Sequence, residues 1–469
     1  MKKIIVLSSI AFLSTVSFAN TDIQVQIDEL TAKIEKLEKK QVKNTKKISN
    51  VNKLAAKDNI KFDVDFRTSY DNIQYKTAGG TRYKNEALFS NRLWLGMGYA
   101  PTDTMLFKGQ LSMNKAYGAS YGQRGTGMGY DTFDWVVNET LTDNTVRVRE
   151  AYWLWTPTVG GFPTTLSVGR RPATNGFLGN LREDDKNAKS PLAHVINMEF
   201  DGASASIKLD KYVPGMSFKI CLGRGLTDAA SWANSTGMNY IENGALDTSD
   251  MLGFIVVPYD DGQYSIKATW YRGFSLPGTN WAGTPMNPND DYLETTGNMD
   301  GAAISMLANG IGDEISDFLD DTKVFASFAG TTSNPDDGKT MLGSQDSETG
   351  YSYWIGTQMP NFTGGNFGLE FNHGSKYWRP FTYGEDTMVG SKMAIRGNAY
   401  EAYWSQPIVQ KGSTDVFSMQ VRYTYLDYDY TGSNAFFGAN SNPIAIDNPM
   451  AVNAVKTAQD IRVYFRYRY

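Results

Sequence analysis

The last ten residues, Asp460–Tyr469, read D-I-R-V-Y-F-R-Y-R-Y and constrain the fold more than any other stretch. Ile461, Val463, Phe465, Tyr467 and Tyr469 share one parity, while Arg462, Arg466 and Arg468 share the other, with Tyr464 among them. A strand sends successive side chains to opposite faces, so this segment has an apolar-aromatic face and a cationic face. A soluble sandwich strand shows the same alternation but seldom ends on its aromatic face with no polar tail. A strand with hydrocarbon on one side and water on the other satisfies both faces.

The same two-residue period recurs through most of the chain. Ile60, Phe62, Val64 and Phe66 alternate with Lys61, Asp63, Asp65 and Arg67. Phe107, Gly109, Leu111 and Met113 oppose Lys108, Gln110 and Ser112, and Val146, Val148, Tyr152 and Leu154 oppose Arg147, Arg149, Ala151 and Trp153. Phe417, Met419, Val421, Tyr423 and Tyr425 oppose Ser418, Gln420, Arg422 and Thr424. Two classes of connection separate these runs. Short ones fall at 101–103, 157–162, 258–262, 360–365 and 407–413. Long ones, rich in Gly, Asn, Asp, Ser and Thr, fall at 73–86, 115–143, 172–193, 225–249, 274–300, 331–347, 376–394 and 431–455. Short turns at one end and long loops at the other are the topology of a transmembrane barrel; a soluble sandwich gives no reason for it. The expected fold is therefore all-β: a transmembrane antiparallel β-barrel of about 16 strands over residues 59–469, with 14 or 18 as the alternatives. The segments 195–209 and 301–308 carry the weakest patterns. The one long inner turn, 309–321, reads as a short helix.

Composition agrees with this fold. Mean hydropathy is -0.40, as expected where every second residue meets water, and apart from a short N-terminal run no window approaches the ~20 apolar residues of a spanning helix. Tyr, Phe and Trp number 27, 24 and 10, enough for interfacial girdles. The net charge of -5, with no basic stripe interleaved with aromatics, argues against a nucleic-acid partner. Cys221 is the only cysteine, so no internal disulfide exists and stability must come from the sheet.

Lys2 and Lys3, the apolar run Ile4–Phe18 and Ser17-Phe18-Ala19 form a Sec-type signal peptide over residues 1–19. Residues 20–58 follow as a heptad stretch. Ile27, Ile34, Gln41, Ile48 and Ala55 take the a positions, and Ile23, Leu30, Leu37, Asn44 and Val51 the d positions. That spacing predicts a coiled-coil stalk with a polar layer at Gln41 and Asn44 that fixes register. Its expected place is the periplasm, where its lysines would meet the anionic cell wall; a solvated helical spacer is the plainer alternative.

A barrel of this strand number holds an aqueous lumen, and the parity argument puts Arg147 and Arg149 inside it. Arg170 and Arg171 follow in G-R-R-P, and the next loop carries Arg182, Glu183, Asp184, Asp185 and Lys186. Together these nine are the candidate pore-lining and constriction residues, since opposed rings of charge select ions by sign and size. Catalysis has little support. The two histidines are His194 and His373, and a single His373-x-Ser375 with no orienting group is a weak signal. No metal- or nucleotide-binding motif occurs, so no cofactor is expected.

The coiled coil, the alternating β-domain, G-S-K-Y-W at 374–378, G-S-K-M-A-I-R-G-N-A-Y-E-A-Y at 390–403 and the aromatic C-terminus resemble an uncharacterised porin-like family of Gram-negative outer membranes, a domain of unknown function. The resemblance covers nearly all of the mature chain. It implies an outer-membrane barrel of porin type with no established substrate. The similarity to general porins also implies that the third outer loop, 172–193, folds into the lumen. The expected function is passive diffusion of small hydrophilic solutes or ions by a homotrimer in outer-membrane lipid. A plugged barrel tethering the membrane to peptidoglycan is the alternative, and a barrel enzyme acting on lipid is a more distant one.

Overall fold

The computed structural model describes residues 60–119, 141–185, 187–227, 247–279, 293–312, 315–382, 387–411, 414–433, 435 and 437–469. The expected signal peptide, the expected stalk and Lys186 lie outside the described residues.

Sixteen strands, each antiparallel to the next, form one sheet among the described residues. The first half comprises β1 (Lys61–Thr77), β2 (Arg82–Tyr99), β3 (Met105–Ala116), β4 (Arg147–Trp155), β5 (Phe162–Ala173), β6 (Ile196–Lys208), β7 (Ser217–Leu226) and β8 (Ser249–Asp260). The second half comprises β9 (Tyr264–Thr279), β10 (Leu293–Asn309), β11 (Lys323–Pro335), β12 (Thr349–Pro360), β13 (Asn366–Gly374), β14 (Gly397–Lys411), β15 (Thr414–Tyr428) and β16 (Val455–Arg468). The two segments with the weakest patterns are both strands, β6 and the end of β10. The inner turn carries the helix α1 (Asp317–Asp320), capped by the Ser316 hydroxyl, which accepts from the Leu319 amide.

The sheet closes on itself. β16 pairs with β15 on one side and β1 on the other, with Phe66 opposite Tyr467 and Arg67 opposite Arg466. Val64 and Tyr469 exchange two backbone hydrogen bonds, of 3.0 and 2.9 Å, at the end of the seam. Closure removes the free edges that an open sheet would present to solvent or lipid. Along β16, Ile461, Phe465, Tyr467 and Tyr469 are exposed on the outer face. Asp460, Arg462, Tyr464 and Arg466 are buried on the inner face. The alternation of the final segment therefore separates the outside of the cylinder from its inside.

Two local departures have physical causes. The expected long connection at 73–86 is a tight hairpin: β1 and β2 run on to Thr77 and Arg82, and Gly80 adopts the left-handed φ of 88° that the turn requires. Its strands are polar at this end, which is why the residues read as loop. In β4, a β-bulge places Glu150 opposite Gln110 and Val148 opposite Leu111, leaving Arg149 as the extra residue. Arg149 and Glu150 are consequently both buried on the inner side. Parity inverts beyond them. Tyr152 turns inward and Trp153 and Trp155 outward, the reverse of a strictly alternating reading.

Inner-face glycines in three strands sit beneath a large ring. Gly301 lies opposite Tyr271, Gly356 opposite Phe325 and Gly368 opposite Tyr403. A Cβ on Gly368 would come within 2.1 Å of the Tyr403 ring, and one on Gly301 within 2.3 Å of Tyr271. These rings lie flat along the wall because the neighbouring strand offers no side chain.

Candidate functional site: a charged plug inside the barrel

The loops at the long end turn inward. Residues 174–195, between β5 and β6, carry the helix α2 (Gly179–Arg182) and run down the lumen. The Gln358 amide donates to the Leu181 carbonyl at 2.9 Å, and the Gln420 amide to that of Arg182 at 2.8 Å. Arg466 donates to the Glu183 carbonyl at 2.7 Å and Arg468 to that of Asp184 at 3.1 Å. Asp184 also accepts from Asn366, the first residue of β13, at the short-turn end. The segment thus reaches from one end of the barrel to the other.

Three more loops pack above it. The 375–396 loop lays Phe381 alongside Ile196, and the Trp378 indole donates to the Met393 carbonyl at 2.6 Å. Arg396 joins this loop to residues 429–454 by donating to the Ser441 and Thr431 carbonyls at 2.6 and 2.9 Å. Leu342, from 336–348, donates its amide to the Phe437 carbonyl at 2.9 Å. Phe177, Leu181, Leu192, Val195, Trp354, Trp378, Phe381 and Phe437 form a dry cluster between loops and wall. His194 sits within it, its ring nitrogens 2.8 Å from the Ser327 hydroxyl and 2.9 Å from the Ser352 hydroxyl. Burial pushes the imidazole down to about 3, so it is neutral at pH 7.

Where the plug meets the β13–β16 and β1–β2 wall the contacts are ionic. Glu183 faces Arg182 at 3.3 Å, Arg422 at 3.5 Å and Arg67 at 3.8 Å. Arg182 reaches Glu401 at 3.3 Å, and Lys392 bridges Glu401 and Glu370 at 2.5 and 2.6 Å. Arg462 holds Asp71 at 2.5 Å, Arg466 holds Asp65 at 2.5 Å, and Arg468 lies 3.4 Å from both Asp184 and Asp185. Charges this deep must be partnered, because each unpaired one would cost several kcal/mol in lost hydration.

The eight candidate residues among the described ones divide among several environments. Arg182, Glu183, Asp184 and Asp185 converge on the network just described. Arg149 is buried on the lumenal face, 3.0 Å from Glu199, donating to the Gln110 side-chain oxygen Oε1 at 2.7 Å and lying 4.1 Å above the Trp94 ring. Arg147 begins β4 opposite Ser112 and is half-buried. Arg171 faces inward, donating to the Ser204 hydroxyl. Arg170 does not line the lumen. Successive strand residues point to opposite faces, and the register places Arg170 opposite Ala151 and Asp201, on the outer surface. There it donates to the Val148 carbonyl at 2.9 Å and lies 3.6 Å from Asp201. Arg224–Asp250 at 2.7 Å and Arg272–Asp300 at 2.9 Å continue an outward-facing row of charges. His373 is opposite Asn398, whose side-chain oxygen lies 3.0 Å from Nδ1, and its ring is 5.1 Å from Tyr353.

Lys392, Glu370 and Glu401 were missed as site residues, although Lys392 lies in the G-S-K-M-A-I-R-G segment quoted for the resemblance. A lysine and an arginine amid apolar residues in a long loop were the available signal.

A family model described as "Protein of unknown function (DUF3373)" matches residues 82–469. The chain belongs to this family. No curated protein matches the sequence. Among solved structures, DUF3373 here is similar to OmpF of Salmonella typhi in complex with daunomycin, at 9% identity and a TM-score of 0.46, covering 87% of this chain and 97% of that one. It is also similar to OprB of Pseudomonas putida, at 10% identity and 0.47, covering 87% and 94%. A third is the trimer form of OmpT, an outer membrane protein of Vibrio cholerae, at 10% identity and 0.45, covering 88% and 99%. The architecture of the described residues is a closed sixteen-stranded antiparallel barrel with inward loops. No described helix is long and apolar enough to cross a membrane, which says nothing of strands.

Proposed function

We propose that this DUF3373 protein is an outer-membrane porin-like barrel that passes small hydrophilic solutes or ions along the side of the lumen its plug leaves open. The observation that carries this reading is the asymmetry of the filling. Most of the plug's ion pairs go to β13–β16 and β1, and Lys189–Glu150 at 2.5 Å is its ionic contact with β4. Towards the short-turn end, the inner face of β3–β7 stays polar and reached by solvent: Lys108 and Lys208 are exposed, and Gln110, Thr165, Ser204, Ser206 and Lys219 are half-buried, while Ser112, Arg149, Glu150, Ser167 and Glu199 further along are buried. A sealed core would pack apolar residues against that wall. Near the short-turn end, a cavity of about 200 Å³ opens beside Glu183, Asp184, Arg466 and Arg468. The outward aromatic residues fit a lipid-facing band, and a homotrimer with its N-terminal stalk in the periplasm completes the reading.

Full-length protein reconstituted in a planar bilayer is expected to give stepwise conductance in simple salt, smaller than the barrel's strand number alone would allow. A flat trace at every voltage would remove the reading. A second reading, a structural barrel with a closed lumen tied to the cell wall, is favoured by the depth and completeness of the ionic network. It predicts no conductance together with retention on peptidoglycan that disappears when residues 20–58 are deleted.

A further inference from the structure

We propose that the cavity between the plug and β5–β9 is a binding site for a compact amphipathic organic anion, a carboxylate on a short apolar body, and that such anions are preferred permeants. The assignment of a permeant rests on the passage reading above. The cavity measures about 70 Å³, below the roughly 150 Å³ that holds a benzene ring, so it suits a few waters or a short-chain carboxylate of two or three carbons. Arg171 and Lys219 supply its charge. They sit close together because Arg171 donates to Ser204, and Ser204 lies opposite Cys221, two residues from Lys219 on the same face. The Nε of Arg171 is buried with no hydrogen-bond partner. Phe200, Met251, Ile255 and Tyr271 supply the remaining surface, and no carboxylate lines the cavity.

This composition selects among solutes. A cation would meet two positive groups with no counter-charge. A neutral polar solute would leave the guanidinium donor poorly matched, whereas a carboxylate accepts from it and places its hydrocarbon on the apolar side. Gly253 forms part of the cavity wall, and a Cβ there would meet nothing nearer than 3.5 Å. A larger residue at this position fills the space without displacing backbone.

Cys221 lines the cavity and is the only thiol in the chain, so it reports occupancy directly. The experiment follows its modification by a negatively charged methanethiosulfonate in the reconstituted protein, with propionate or propionamide as competitor. Propionate is expected to slow labelling about tenfold at a concentration where propionamide has little effect, the scale of one charge-assisted hydrogen bond. Lys219→Met should abolish the protection, Lys219→Arg should retain it, and Gly253→Leu should block labelling. Equal protection by the two competitors, or protection that survives Lys219→Met, would overturn the proposal while leaving salt conductance intact. Absence of conductance in every condition would overturn the passage reading, and the permeant assignment with it.

Discussion

At the residue scale, the telling position is Glu183. One carboxylate on the plug is shared by Arg67, Arg182 and Arg422. Removing it leaves three guanidiniums crowded in a space with little water. Glu183→Ala should therefore cost about 3–5 kcal/mol, the range for breaking a buried ion pair by deleting one partner. Denaturant unfolding of the reconstituted barrel measures the loss; a change below about 1 kcal/mol, typical of an exposed pair, would contradict the burial argument. Gly368 makes a different point. Its absent side chain is what lets Tyr403 lie flat and its hydroxyl sit 3.4 Å from the Gln358 amide. Gly368→Val should cost roughly 1–3 kcal/mol through displacement of that ring, and a Tyr403→Ala background should reduce the effect.

At the element scale, the 174–195 loop is held by an apolar cluster on one side and ions on the other, with His194 in the apolar part. Its folded value of about 3 lies below the ordinary 6.5, so the neutral ring is the form the folded state accommodates. The stabilisation is complete above pH 6.5 and is lost as pH falls towards 3, at roughly 1.4 kcal/mol per unit. Acidification from pH 7 to 4.5 should loosen the plug and raise single-channel conductance, and His194→Gln should flatten that dependence. Identical pH profiles for the two proteins would assign the sensitivity to other groups. Replacing residues 178–190 by a short glycine-serine linker should raise conductance at neutral pH without loss of barrel folding, because the loop fills the lumen and contributes no stave.

At the scale of the whole molecule, inside and outside obey different rules. Phe328 is exposed on the outer face near the middle of β11, while Thr332 lies two repeats of the pleat further towards the long-loop end. In a bilayer, Phe328→Arg should cost about 2–4 kcal/mol and Thr332→Arg about 0–1, since the penalty for an outward cation falls with distance from the midplane. Urea titration of protein folded into vesicles measures both; equal costs would place this face of the barrel outside hydrocarbon. The row from Arg170 to Asp300 marks the level at which charges become tolerable, where paired arginines and aspartates replace the aromatic band.

Most of the architecture was legible in the order of residues, because two solvents impose a period of two on every stave. That period, with the alternation of turn lengths, determined the strand number, the closing role of β16 and the inward direction of Arg149, Arg462 and Arg466. It could not register the bulge at Arg149–Glu150, since one extra residue inverts parity and only the partner strand reveals it. For the same reason G-R-R-P concealed that Arg171 enters the lumen and Arg170 leaves it. Nor could it show how the lumen is occupied. The meeting of Glu183 with Arg422, and of Lys392 with Glu370 and Glu401, joins segments remote in the chain. Such pairs form only once the cylinder has closed and the loops have turned into a space where unpaired charge is too costly to remain.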